Sequence, residues 1–366
     1  MKDAAAILSA AAMLRARRSP VLVATVVRIE GSSYRRPGAR LVATAEGRVA
    51  GSVSGGCLER DLLRTGFWRT RNGPALVRYD SRDPEDGEPV LGCGGVVDVL
   101  LEQGTAGADD DPLALISEAI ASNRPVALAT VFHTADRSIP LGAHWAIGSD
   151  MTEASRVGAD DLVDTLASVG AKTLVQERAA CVQLPRARGR VDLLVEPIVP
   201  SPHLFVFGAG PDVHPLVAMA RQLGWPVTAW VAPESLETRS RLIAAGACVE
   251  SNLDIVRSRI DASHRAMAVV MGHNLSRDGE ALRTALASRA TYIGILGPRH
   301  RTATLVTELS SVALSDPRVH APVGIDLGAE TPEEIALSIA SEILGHVRRA
   351  SHASLRERRN IHGDAA

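Results

Sequence analysis

Aromatic residues are scarce in this 366-residue chain, at 3% of the total, and its four cysteines include no C-x-x-C pair. The first shortage argues against a base-stacking surface. The second excludes a disulfide framework, a zinc finger and a self-contained iron–sulfur ligand set. Neither sign of charge dominates: 40 Lys+Arg against 42 Asp+Glu leave a formal charge of −2, so no basic field draws nucleic acid. No apolar run approaches the roughly 18 residues of a membrane span. The Ala-rich start is broken by Ser9, and its main basic cluster (Arg15, Arg17, Arg18) follows the apolar stretch, which fits a first helix better than a signal peptide. A cytoplasmic protein without membrane or nucleic-acid partners is expected. Several reaction classes go too: no G-x-S-x-G elbow, no Walker lysine and no H-E-x-x-H are present.

What is there is an ordinary globular balance, 46% apolar and 22% charged, over a length suited to two domains. The first half reads as mixed α+β. β-Branched runs at 20–30, 40–44, 48–53, 75–79 and 95–102 are separated by Gly and Pro turns, with a helix from about Leu58 to Arg69. The segment at 104–112 has the composition of a surface loop, and EPIVPSPH at 196–203 that of a connector. From His203 the pattern becomes regular. Apolar strands at 204–207, 225–231, 267–271 and 292–296 alternate with helical stretches, and Thr331-Pro332-Glu333-Glu334 opens a last helix with a capping box. The expected fold is α/β overall: a mixed α+β domain (1–198), a Rossmann-like doubly wound parallel-sheet domain (199–350), and a charged tail (351–366).

Two turns carry unusual chemistry. In Ser54-Gly55-Gly56-Cys57 a strand runs through glycines into a helix opened by a cysteine. Backbone N–H groups converging there favour an anion and favour thiolate at Cys57. Gly92-Cys93-Gly94-Gly95 repeats the plan. Thiolates at Cys57 and Cys93 would suit zinc, copper(I) or a soft metal carried on a cofactor, against the commoner case of small packed cysteines. Cys181 and Cys248 lack such surroundings and read as packing residues.

In the second half Gly208-Ala209-Gly210 follows a strand and opens a helix, as a phosphate cradle does. Val213 stands where the dinucleotide fingerprint has its third glycine, and 229–233 offers no acid for a ribose. His273 and Asn274 follow one later strand; Gly297, Arg299 and Arg301 follow another. Ligands of open α/β sheets bind at such strand ends, and arginine clamps phosphate well.

Taken in order, GSSYRRPGARL (31–41), GSVSGGCLE (51–59), LGCGGVVDVLLE (91–102), GAGPD (208–212), GILGPRHRT (294–302) and GIDLGAETPEEIALSI (324–339) resemble the XdhC/CoxI family. These are maturation factors of molybdenum hydroxylases such as xanthine dehydrogenase. The resemblance implies a chaperone that binds molybdenum cofactor (molybdopterin), protects it while a cysteine desulfurase supplies the sulfido ligand, and delivers it to the apo-enzyme. It also implies that the glycine cradles and arginines meet the phosphate while Cys57 and Cys93 meet the molybdenum end. Two departures stand out: Val231-Ala232 where the family often has an acid, and Gly272 where threonine commonly precedes the histidine. The alternatives are an NAD(P)-dependent oxidoreductase, a small-molecule sensor and a xanthine dehydrogenase-associated subunit. A homodimer is the commonest assembly for any of them.

Overall fold

The computed structural model describes residues 2–17, 19–31, 33–54, 56–80, 95–105, 113–148, 160–233, 235–309, 315–354 and 356. The chain divides into two compact units, Met1–Pro200 and Ser201–Ala366.

The first unit is a layered sandwich. Strands β1 (Pro20–Glu30), β2 (Arg40–Thr44), β3 (Gly47–Gly51), β4 (Ala75–Asp80) and β5 (Val96–Thr105) form an antiparallel sheet in the order β3-β2-β1-β5-β4. A second antiparallel sheet holds β6 (Val126–Thr134), β7 (His144–Gly148), β8 (Ala180–Arg186) and β9 (Gly189–Ile198) in the order β7-β6-β9-β8. Alternation decides which face looks where. Leu22, Ala24 and Val26 of β1, with Val97, Val99 and Leu101 of β5, meet Leu58 and Leu62 of helix α2 (Cys57–Arg69). On the opposite face Val27 and Leu100 meet Phe132 and Leu194 of the second sheet. Helices α1 (Lys2–Arg17) and α3 (Ala114–Ala121) close one side through Ile7, Leu14 and Ile116, and α4 (Asp160–Gln176) covers the far face through Leu162 and Leu166.

Several strand boundaries differ from the sequence reading, two of them in the first unit with a clear physical reason. The strand expected to end at 102 continues to Thr105, paired with Pro20 of β1. Pro197, expected in a connector, lies in β9 opposite Ala127. Strand β8 pairs with β9 only as far as Val195, so Pro197 sits where β9 has β6 alone as a neighbour, and a residue without an N–H is tolerated there.

The second unit is a six-stranded parallel sheet: β10 (His203–Phe207), β11 (Val227–Trp230), β12 (Cys248–Glu250), β13 (Ala266–Val270), β14 (Tyr292–Ile295) and β15 (Val319–His320). Its order, β12-β11-β10-β13-β14-β15, is the doubly wound Rossmann arrangement. Helices α5 (Val213–Gln222), α6 (Leu236–Ala244), α7 (Leu253–Ala262), α8 (Leu275–Leu286), α9 (Arg299–Leu309) and α10 (Pro332–Arg348) complete it. The inner strands β10, β13 and β14 are buried on both faces, which is why they read as unbroken apolar runs. Thr331 caps α10 reciprocally with Glu334, as the sequence spacing requires. Cys181 and Cys248, read from sequence as packing residues, are both exposed, because each lies in the outermost strand of its sheet. Among the described residues no helix is long and apolar enough to cross a membrane.

Candidate functional site

Strand direction gathers the loops of the first unit at one end of its sheet. Glu30 and Asp80 both pair with Val96, and Gly51 pairs with Leu41 beside Arg40. The carboxyl ends of β1, β3 and β4 and the amino ends of β2 and β5 therefore share one edge. From it leave the 31–39 loop, the turn into Cys57, and both anchors, Asp80 and Gly95, of the segment that carries Cys93. Tyr79 Oη donates to Asp61 Oδ2 at 2.8 Å, tying the second turn of α2 to the last residues of β4.

The turn before Cys57 is organised by a residue that sequence reasoning left without a role. Glu59, only 7% exposed, accepts from Val53 N at 3.2 Å, Ser54 N at 2.8 Å, Gly56 N at 2.9 Å and Ser52 Oγ at 3.0 Å, and also from Ser54 Oγ. Ser54 Oγ in turn accepts from Gly56 N and Leu58 N, both at 3.2 Å. Burial opposes ionisation of Glu59, but the bonds from Ser54 and Ser52 outweigh it and hold the carboxyl below its ordinary range. The N–H groups expected to receive an external anion are thus given to an internal carboxylate. Gly56, at φ 114°, takes the left-handed conformation that lets the chain turn into α2. The capping-box spacing Gly56…Glu59 is the signal that could have identified this role. Cys57 is the first residue of α2; its side chain, Gly55, Gly92, Cys93 and Gly94 lie outside the described residues.

Arg40 roots the neighbouring loop. Its guanidinium makes a buried two-pronged pair with Glu196 of the second sheet, one prong at 3.0 Å, and donates to Gly38 O at 3.0 Å. Burial works against its charge; attraction and hydrogen bonding from Glu196 outweigh that and raise its pKa. A Cβ on Gly38, which has φ +92°, would strike the Glu196 carboxylate. The carbonyl of Arg40 also receives Ser52 N at 2.8 Å.

In the second unit three glycine turns meet at the carboxyl ends of β10, β13 and β14. Gly208 lies so close to β13 that a Cβ would be 2.7 Å from Met271 O. A Cβ on Gly210 would run into the His273 ring, so an exposed imidazole stands over the glycine turn. Asn274 caps α8, its Oδ1 accepting from Arg277 N at 3.1 Å. Gly297, at φ +133°, leads into α9, where Arg299 is exposed. Arg301 is spent inside the protein: it donates to Gly272 O at 3.0 Å, to Leu296 O at 3.2 Å and to Asp278. Asp278 is 3% exposed, and burial raises its pKa in spite of Arg301. A Cβ on Gly272 would overlap Asp278, so the packing there requires glycine. At the end of β11, Trp230 donates Nε1–H to Ser251 O at 3.1 Å.

Comparison with known proteins agrees with this division. Residues 14–80 match the XdhC and CoxI family, and residues 204–343 match the XdhC Rossmann domain. The chain belongs to the XdhC/CoxI family. Across 91% of its length it is 26% identical to a Bacillus subtilis protein named as a probable xanthine dehydrogenase subunit, 94% of which is covered. It is 23% identical over 90% of its length to the Escherichia coli molybdenum cofactor insertion chaperone PaoD, covering 84% of that protein. A crystal structure of a xanthine dehydrogenase from Bacillus halodurans superimposes with a TM-score of 0.69 at 25% identity, covering 95% of this chain and 97% of the other. The first XdhC/CoxI match takes in the Arg40 loop and the Cys57 turn; the second takes in all three glycine turns of the Rossmann unit.

Proposed function

We propose that this protein is a maturation factor that takes molybdenum cofactor as cargo, presents it to a cysteine desulfurase for sulfuration, and hands it to a molybdenum hydroxylase of the xanthine dehydrogenase type. One observation carries the reading: the start of α2 at Cys57 and both anchors of the segment containing Cys93 lie at the same sheet end, in a chain similar over nine-tenths of its length to a molybdenum cofactor insertion chaperone. Thiolates at Cys57 and Cys93 are soft donors for a molybdenum end. Ser54, Gly55, Gly56, Gly92, Gly94 and Gly95 keep the backbone close to the cargo. Taken by itself, the Rossmann unit has at the turn of Gly208 and Gly210, with His273, Asn274, Gly297, Arg299 and Arg301, a strand-end crevice of the kind that takes a phosphate-bearing ligand such as a nucleotide. Among these, the exposed side chains of His273 and Arg299 meet the phosphate directly, and Asn274 and Arg301 hold the turns in place. Trp230 at the end of β11, where an NAD enzyme carries an acid, counts against an NAD(P)-dependent oxidoreductase.

The test is the molybdenum and pterin content per protomer after anaerobic loading and desalting, with the Cys57→Ala/Cys93→Ala variant alongside. Near-stoichiometric retention by wild type, lost in the variant, is the expected result. Equal retention by both defeats the thiolate assignment, and no retention by wild type defeats the maturation role.

A further inference from the structure

Three tyrosines occur in the chain, and two are packed with their hydroxyls bonded: Tyr79 to Asp61 at 2.8 Å and Tyr292 to Glu342 at 2.6 Å. Tyr34 is 70% exposed. It sits at the tip of the 31–39 loop, with the Arg35 guanidinium 5.7 Å from its ring centre and exposed Arg36 next in sequence. An aromatic ring held in water contributes nothing to folding, so the way its loop is built is informative.

That loop is rigid at its base. Arg36-Pro37-Gly38-Ala39 is a type II turn: proline fixes the second position, Gly38 supplies φ +92° at the third, and Ala39 N donates to Arg36 O at 3.1 Å. Val26 clamps the turn from below, with Gly38 N donating to Val26 O at 2.8 Å and Val26 N to Ala39 O at 2.9 Å. Beneath it lies the buried Arg40–Glu196 pair. Arg40 serves two loops at once. Its side chain holds Gly38 O, and its carbonyl takes Ser52 N at the start of the turn into Cys57. The Tyr34 tip and the Cys57 turn thus have a common root at one sheet end.

We infer that Tyr34, Arg35 and Arg36 form a recognition element for a planar heteroaromatic phosphate ester, a phosphorylated pterin in the first instance. The inference rests on the maturation reading for the choice of pterin. Tyr34 offers a stacking face, Arg35 stiffens that face from one side by its cation–π contact, and Arg36 offers guanidinium hydrogen bonds to the phosphate. The side chains act as a preformed platform because the turn under them is fixed before any ligand arrives.

The experiment uses the full chain and three stable probes: a pterin monophosphate, the same pterin without phosphate, and AMP. Binding is followed by calorimetry, and retention of anaerobically loaded molybdenum cofactor is measured in parallel. Wild type is expected to prefer the phosphorylated pterin. Tyr34→Ala should weaken both pterins about 10-fold, Tyr34→Phe should restore wild-type affinity, and the Arg35→Ala/Arg36→Ala variant should lose the preference for phosphate. An unchanged melting temperature is expected for the exposed Tyr34 position, and the half-buried Arg35 is read against a melting curve of the same variant. AMP bound as tightly, with the same dependence on Tyr34, would keep the platform and make its ligand a nucleotide. Retention of cofactor by wild type and all variants alike would overturn the inference while leaving the maturation reading intact. No retention by wild type, with the pterin phosphate still bound through Tyr34, would do the reverse.

Discussion

Replacing Glu59 tests the account of the Cys57 turn most directly. In Glu59→Ala the N–H groups of Val53 and Ser54 and the Ser54 hydroxyl lose their acceptor, whereas Gly56 N keeps Ser54 Oγ and Ser52 Oγ keeps Ser54 O. A buried donor left unsatisfied costs about 1–3 kcal/mol. Gly56 is exposed and can turn to water, whereas Val53 and Ser54 are buried, so the expected loss is about 3–5 kcal/mol. Glu59→Gln separates charge from shape. Its amide oxygen can replace Oε1 and keep three of the donors, but its NH₂ then faces Gly56 N–H, for a loss of about 2 kcal/mol. Because hydrogen bonding depresses the folded-state pKa of Glu59, its contribution is fully present above the unfolded value of 4.5 and disappears as pH falls through the depressed one. Glu59→Gln should flatten that part of the acid profile. Hydrogen exchange at the amides of 53–58, read with calorimetric melting of the first unit, gives the answer. Wild-type protection and melting in Glu59→Ala would refute the assignment.

Four further outcomes are expected. Glu196→Ala leaves Arg40 buried and unpaired and should cost about 3–5 kcal/mol; Gly38→Ala, at φ +92° against the Glu196 carboxylate, should cost about 2 kcal/mol. Melting of either variant at the wild-type temperature would contradict this packing. Gly272→Thr forces a side chain onto Asp278 and should lose about 1–3 kcal/mol, visible as a lower melting temperature of the Rossmann unit. Glu342 resists ionisation through burial, yet bonds from His320, Tyr292 and Gly324 bring its pKa down to about 2. Its stabilisation is therefore complete above 4.5 and lost as pH falls toward about 2, and Glu342→Gln should remove that dependence in denaturation curves recorded from pH 7 to 3.

Much of the fold is local information. Unbroken apolar strands of four or five residues with glycine turns between them leave few arrangements other than a parallel sheet with helices on both faces, and Thr331-Pro332-Glu333-Glu334 specifies its helix start by side-chain chemistry alone. The turn into Cys57 and the glycine-rich strand ends of the Rossmann unit were legible for the same reason, since glycine is needed wherever backbone approaches closely. What the side chains at those turns do was not legible, because it depends on partners far away in the chain. Arg301 reads as a phosphate clamp until Asp278 and Gly272 O take its guanidinium. The amides before Cys57 read as an anion site until Glu59 fills it from within. Arg40 and Glu196, 156 residues apart, have no pattern that pairs them. Residue type and spacing therefore determined the fold class and the family. Only tertiary structure decided which charges are spent in holding loops and which are presented to solvent, because a buried charge requires a partner and that partner is set by how the sheets stack, not by neighbours in sequence.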